Sequence, residues 1–490
     1  MLLVLILLVP FLAGLACLPI RRRAWLQALN LAAFVAVGGL AAGLVRQVLA
    51  NGPVEVMGGF LYADALSALV VGITAFVALA CGLYAAGYLR IELDAGNITP
   101  RQLHRYYVLT PFFVTAMLLV PLANSLGIMW VAIEATTLSS VLLVTFYNER
   151  TSLEAAWKYI IIGSIGISLA LFGTILAYYS AADVLGAETA NGLNWTVLSR
   201  LADKFNPAAM RLAFILALLG YGTKAGLAPM HTWKPDAYAE APVPSATLLA
   251  AGLVNCAIYG IVRFHTLTAK CVGPEFSGNL LIGFGVGSIL VAVPFILVQR
   301  NFRRILAYSS IDHAGIMVAA VGFGGPLGAL GALLHMVFHA AAKPLLFFCA
   351  GNVQQHFGTP YFRKVTGAVR TLPWTGALFL VASLAVTGTP PFSLFQSEFT
   401  ALSAALAAHH FWPAALFTAG VATIFAGFLV HMSRLNLGPA ARGAARGREC
   451  PWKLAAMLLV ALPVVGFAFI LPRPLEQLIQ HAAQIIQGNP

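Results

Sequence analysis

Seven ionisable side chains stand within sequence apolar enough to lie in a membrane: Glu134, Lys158, Lys224, His335, His339, Lys343 and Glu398. Lys224 sits near the middle of the stretch Leu218–Trp233, and Pro229, five residues on, removes a helical N–H and clashes with the preceding turn. Placing an ammonium in hydrocarbon costs on the order of 2.5–3.5 kcal/mol on insertion scales, so an intramembrane lysine marks a functional site. A lysine at a span end snorkels to the headgroups at little cost. Lys158, in the first turns of its span, has that exit, whereas Lys224 has apolar sequence on both sides.

Glu134, inside Ile128–Ala135, and Lys224 carry opposite signs on different spans, so a buried ion pair is expected. Such a pair acts as a proton switch. A nearby carboxylate holds the lysine charged, and opening the pair favours loss of its proton. His335, His339 and Lys343 follow at i, i+4 and i+8, which puts them on one helix face with rungs about 6 Å apart. Histidine titrates near neutrality and can relay a proton, with Lys343 and Glu398 continuing the path. Dispersed into lipid, the seven groups would cost on the order of 20 kcal/mol, so a connected polar axis is expected. His231 and His313 stand near span ends, as local structure or as proton entry.

Apolar runs bounded by charges, Gly, Pro or Asn give about 14 spans. They lie at about 2–20, 25–47, 64–88, 108–122, 125–146, 155–179, the stretch 218–233, 245–263, 279–298, 305–323, 327–350, 372–408, 413–433 and 454–471. Residues 180–208 form the longest polar connection, a loop or short surface helix. Span twelve is too long for one straight crossing and is interrupted at Gly388–Pro391, so it reads as two half-helices. Spans seven and twelve are both broken beside an ionisable residue, Lys224 and Glu398. Paired broken segments in corresponding halves point to a transporter's ion site. The predicted fold is therefore an all-α polytopic membrane protein with two inverted five-helix repeats, spans 4–8 and 9–13. The chain reads as a single membrane domain over 1–490, divided into 1–106, a first repeat 107–265, a second repeat 278–434, and 435–490 with span fourteen and a tail. The tail has Leu475, Leu478, Ile479, Ile485 and Ile486 at helical spacing, as for a helix lying along the membrane surface.

Composition agrees. Of 490 residues, 60% are hydrophobic and 9% charged, far from the roughly 25% charged of a soluble domain. The net charge of +12 needs no nucleic acid or acidic ligand, because the basic residues fall in alternate loops. With Arg21–Arg23 cytoplasmic, the same side receives Arg90, Arg150, Lys234, Arg300, Arg303, Arg304 and Arg442, among others. The opposite side receives Arg46, Arg200, Lys204, Arg211, Arg263, Lys270 and Arg473. This puts the N-terminus outside a prokaryotic cytoplasmic membrane. Six cysteines stand singly and read as small apolar residues. No Walker loop, GxGxxG motif, haem-like histidine spacing or Ser-His-Asp arrangement occurs. No cofactor, no metal and no catalytic centre of the chain's own is expected.

On these residues the chain resembles the antiporter-like proton-translocating subunits of respiratory complex I and its relatives, the membrane-bound hydrogenases, formate hydrogenlyases and Mrp-type cation/proton antiporters. The matching stretches are Tyr62–Ser67, the span around Glu134, Ala155–Tyr159, Lys224–Ala237, Arg304–Ser310, His335–Phe347 and Thr387–Phe399. The wording of Gly226–Trp233, Leu253–Tyr259 and Ser309–His313 is most similar to the F component of hydrogenase-4-type complexes. The resemblance implies 14 transmembrane helices, broken helices seven and twelve, a Glu134–Lys224 switch, and Glu398 as the terminal group toward the outside. Three departures stand out. Leu249 occupies a rung where many relatives carry lysine or histidine, Glu398 stands where others have lysine, and Lys234 replaces a common apolar residue.

The function implied is proton translocation by a subunit of a redox-driven membrane complex, with hydrogenase-type or quinone-type subunits as partners. The alternatives are an Mrp-type Na⁺/H⁺ antiporter subunit and a non-conducting scaffold of the same fold.

Overall fold

The computed structural model describes residues 1–439 and 446–488, and Arg442 lies outside them. The first helices are α1 (Leu2–Cys17), α2 (Arg23–Asn51), α3 (Ala65–Asp94), α4 (Pro100–Leu122), α5 (Leu126–Val144), α6 (Arg150–Leu185), α7 (Trp195–Leu201), α8 (Pro207–Ala225) and α9 (Trp233–Glu240). Next, α10 (Val243–Thr247) runs through a π-helical segment, Leu248–Leu253, into α11 (Val254–Val272). The second part holds α12 (Pro274–Val298), α13 (Phe302–Phe323), α14 (Gly325–Phe357), α15 (Ala368–Thr371), α16 (Pro373–Val386), α17 (Ser393–Ala407), α18 (Phe411–Leu437), α19 (Pro451–Gly466) and α20 (Arg473–Ile486).

Eleven helices are long and apolar enough to cross a membrane, and three shorter apolar ones, α1, α16 and α19, bring the crossings among the described residues to the expected fourteen. Five crossings run from α4 to α11 and five from α12 to α18, and in each set the fourth is broken. An odd number of crossings starts the second set on the opposite face, which makes the repeats inverted. In both sets the broken member packs on the third: α8 on α6, and α16 and α17 on α14.

The first break lies earlier than Pro229. Helix α8 stops at Ala225 because Gly226 takes a left-handed conformation with φ +76°, which lets Leu227 N–H reach back to Gly222 O at 2.8 Å. The chain then passes a cis Ala228–Pro229 peptide before α9 turns to pack on α13. The second break, between α16 and α17, carries a cis Pro390–Pro391 peptide.

Several expectations are corrected. Helix α6 continues to Leu185, past the expected end of its span, while the segment read as a loop or short surface helix does hold a short helix, α7 (Trp195–Leu201). Val54–Val56 and Leu61–Ala63 pair as a small antiparallel hairpin in the connection before α3. The tail forms the helix α20 that its spacing predicts, and Leu478, Ile479, Ile485 and Ile486 are buried where it packs on α3 and α14.

Basic residues assigned to loops are also relocated. Arg303 is buried and donates to the carbonyls of Tyr238 (2.7 Å) and Ala241, closing the end of α9. Arg263 lies within α11, 2.7 Å from Asp64, with both side chains nearly sealed at 2% and 3% exposure. Asp64 also caps α3 by accepting from Ser67 N–H at 2.9 Å. The Arg263 guanidinium is stacked 4.0 Å from the Trp195 ring centroid and 4.7 Å from that of Tyr259.

Removing one partner of such a pair strands the other. Arg263→Met is expected to cost about 3–5 kcal/mol, and Asp64→Asn with Arg263→Met to recover most of it. Thermal denaturation of the detergent-purified protein checks this: a single variant no worse than the double would mean that the pair contributes nothing.

Candidate functional site

Lys224 ends α8 pointing at α5 and α6. Its ammonium donates to the Thr137 hydroxyl and, at 3.4 Å, to the Tyr159 hydroxyl, and it stands 4.9 Å from the Tyr159 ring centroid. Thr137 lies one turn beyond Glu134 on α5 and donates to Glu134 Oε2 at 3.1 Å. Gly163 on α6 faces the ammonium, at a position where an added Cβ would lie in ordinary contact 3.6 Å from Lys224 Nζ.

The expected direct Glu134–Lys224 ion pair is absent among the described residues, which show no contact between them within 4.0 Å. A hydroxyl stands between them instead. Because a hydroxyl donates and accepts at once, Thr137 joins amine to carboxylate without fixing the charge on either. Glu134 is half-buried on the outer side of α5, whereas Lys224 is sealed.

Lys158 is placed apart from this group. It is exposed and pairs with Glu154 at 2.7 Å and Asp236 at 2.9 Å, and Asp236 also binds Arg304 at 2.6 Å. The network ties α6, α9 and α13 together at their ends. Exposed pairs of this kind contribute about 0–1 kcal/mol each.

In the second half, α14 brings His335, His339 and Lys343 onto one fully buried face, as their spacing requires. Lys343 Nζ donates to Ser309 Oγ at 2.8 Å. His335 is held at both ring nitrogens, Nε2 lying 2.9 Å from His313 Nδ1 and Nδ1 lying 2.9 Å from Ser397 Oγ. His339 packs 5.2 Å from the His313 ring, and neither of its nitrogens has a protein partner. Buried polar atoms in that condition are usually met by water.

Glu398 follows Ser397 on α17 and lines a cavity of about 250 Å³ together with Gly388, Phe395 and Phe417. Gly388 has φ +63°, and a Cβ there would collide with the Glu398 carboxylate, so the second break needs glycine twice over.

His313 is the main residue that the sequence reading misplaced. It stands mid-helix in α13 and touches His335 and His339, rather than lying near a span end. Asp312, Thr137, Tyr159 and Ser397 were not singled out. Thr137 had a signal, its i+3 spacing from Glu134, and His313 had one in the 22-residue length of α13. Lys234, expected in a loop, is fully buried.

His313, His335 and Glu398 bring three potential ligand atoms within 4.8 Å of one another, a grouping the sequence did not reveal. Within the set, His313 Nδ1 and His335 Nε2 are already engaged with each other at 2.9 Å.

Buried amines, imidazoles and carboxylates joined across two inverted repeats with broken helices define a polytopic membrane protein of the ion-translocating kind. Residues 123–425 match the family described as NADH:quinone oxidoreductase/Mrp antiporter, transmembrane, and the chain belongs to that family. It is 35% identical over 433 residues to a hydrogenase-4 component F homolog of Methylacidiphilum infernorum, covering 88% of this chain and 89% of that one. It is 24% identical over 428 residues to a Na⁺/H⁺ antiporter subunit of Alkalihalophilus pseudofirmus, covering 87% and 82%. A chain of the membrane-bound sulfane sulfur reductase, an archaeal respiratory membrane complex, superposes with a TM-score of 0.85 at 23% identity, covering 99% of this chain and 97% of that one.

Thr137→Val removes the hydroxyl that links Lys224 to Glu134, and Thr137→Ser retains it. Loss of a hydrogen bond to a charged group is worth about 1.5–3 kcal/mol, so Thr137→Val is expected to slow proton movement by the assembled complex by about tenfold or more. Thr137→Ser stays near wild type. Dye-monitored proton uptake in vesicles reads both, and equal rates for Val and wild type would exclude the link.

Proposed function

We propose that this chain is a proton-translocating, antiporter-like subunit of a redox-driven membrane complex of the hydrogenase-4, formate hydrogenlyase or complex I kind. The carrying observation is the run of buried ionisable groups from Lys224 through Lys343, His339, His313 and His335 to Glu398, each no more than 8% exposed, on helices of both repeats.

Glu134 and Lys224 form the switch, with Thr137 between them. When the Glu134 side is negative, the ammonium form of Lys224 is favoured; when that charge is neutralised, the proton is free to leave. His339, His313 and His335 hand protons on through ring nitrogens and ordered water, and Glu398 exchanges them at the cavity beside the second break. Lys158 acts at the rim, where Asp236 and Glu154 keep it paired. On this reading the driving force comes from electron transfer in neighbouring subunits. It sits in the cytoplasmic membrane of a prokaryote with its N-terminus outside, an orientation supported by the loop-charge asymmetry.

In the reconstituted complex, Lys224→Met and Glu134→Gln are expected to bring electron-transfer-driven proton pumping to background while subunit assembly persists. Normal pumping in both would sink the switch. The likeness to a Na⁺/H⁺ antiporter protein favours a second reading, exchange without electron transfer. That reading requires Na⁺-dependent dequenching of a pH dye in vesicles with no electron donor present, and no such signal is expected.

A further inference from the structure

We infer that Lys234 is the proton carrier between the two repeats, taking the place of a lysine or histidine on the eighth span. The inference rests on the relay proposed above and adds one group to it. The histidine of α11, His265, stands further along that helix and is bonded to Ser277 Oγ at 2.9 Å. Between Lys224 on α8 and the histidines reached from α13, the eighth span offers Leu249, a buried hydrocarbon inside the π segment, and Asn255, whose amide bonds back to Ala251 O at 2.7 Å. Neither can carry a proton.

Lys234 bridges that gap. It is fully buried, and its ammonium donates at 2.7 Å to the carbonyl of Ala225, the residue after Lys224, and at 3.1 Å to the carbonyl of Ser310, two residues before Asp312. One end of the contact thus belongs to the first repeat and the other to the second. Ser310 also neighbours Ser309, the partner of Lys343.

The fold makes room for this side chain specifically. At Gly226 an added Cβ would meet Lys234 Cδ at 2.5 Å, so the glycine that ends α8 also opens the path of the lysine stem. The Tyr238 ring centroid lies 5.6 Å from the ammonium on another side. No carboxylate lies within 4.0 Å of Lys234 among the described residues, and Lys158, Arg304 and Asp236 nearby are already paired with one another or with Glu154.

A lysine meant only to tie two carbonyls would carry a permanent buried charge without a counter-ion, a costly way to make two hydrogen bonds. Its third N–H has no protein partner. Proton transfer uses it directly: ammonium at Lys224 and amine at Lys234 become amine at Lys224 and ammonium at Lys234. The proton then passes toward Lys343 and His339, and Lys234 returns to the amine.

The test uses the whole reconstituted complex, with assembly followed by native gel and proton pumping by a pH dye, alongside Lys224→Met. Lys234→Leu is expected to lose pumping at least tenfold while assembling. Lys234→Arg keeps the positive charge and the donors but does not release a proton, so it is expected to assemble and fail to pump. Adding Leu249→Lys to Lys234→Leu is expected to restore a measurable part of the pumping, which a tie between carbonyls could not explain. If Lys234→Leu fails to assemble, Lys234→Arg decides, pumping lost supporting the role and pumping kept overturning it. Wild-type pumping in Lys234→Leu with none in Lys224→Met would overturn the carrier and leave the relay standing. Wild-type pumping in Lys224→Met would instead overturn the relay.

Discussion

Lys224 is held by hydroxyls where a carboxylate was expected, and much of the first repeat is arranged to allow it. The ammonium needs acceptors in a place without water, and Thr137 and Tyr159 supply them without a fixed negative charge. Gly166 keeps α6 close by lying against Thr223 of α8, so that the hydroxyls of α5 and α6 can reach the lysine. A direct ion pair in low dielectric would be strong and slow to open, because breaking it leaves an uncompensated charge. An intervening hydroxyl weakens the coupling enough for the amine to change state while Glu134 still biases it.

The two breaks serve that chemistry in different ways. The first ends α8 just after Lys224 and turns α9 across to α13, so a short helix of the first repeat packs on the second beside the direct contacts of α10 and α11 with α12, α13 and α14. The second puts Gly388 against the Glu398 carboxylate and gives that carboxylate a cavity, where α16 and α17 as one continuous helix would have filled the space with side chain. Irregular backbone at membrane depth is tolerated only where it is buried in protein or lines a cavity, and each break meets one of these conditions.

Much of this was legible in the chain itself. Fourteen crossings, two interruptions and the α14 stripe follow from hydropathy and from a period of 3.6, signals that need no tertiary information. What could not be read was which polar groups face one another. Thr137 and Ser397 are ordinary helical residues by sequence, and only packing makes them bridges. Arg263, Arg303 and Lys234 were misread for one reason: a positive residue near an apparent span end counts as a loop charge in the orientation rule, yet all three lie on buried helical turns, of α11, α13 and α9 respectively. His313 is central both in α13 and in the span read at 305–323, so no boundary error hid it; Ser309, Ser310 and Asp312 beside it give the stretch the polarity of a span end.

The buried cations divide by chemistry rather than by depth. Arg263 is clasped by both oxygens of Asp64, at 2.8 and 2.7 Å, and stacked between Trp195 and Tyr259, and its guanidinium does not lose a proton in proteins. That pair is a permanent strut joining α3 to α11. Lys224, Lys234 and Lys343 are sealed as completely but are met by hydroxyls and backbone carbonyls, with no carboxylate within 4.0 Å among the described residues. An arginine with its own anion stays charged and fixes the scaffold. A lysine met only by neutral dipoles is stable as either amine or ammonium, and that indifference is what a proton path requires of its carriers. The choice of residue type at each buried position therefore separates framework from conduit more sharply than burial alone could.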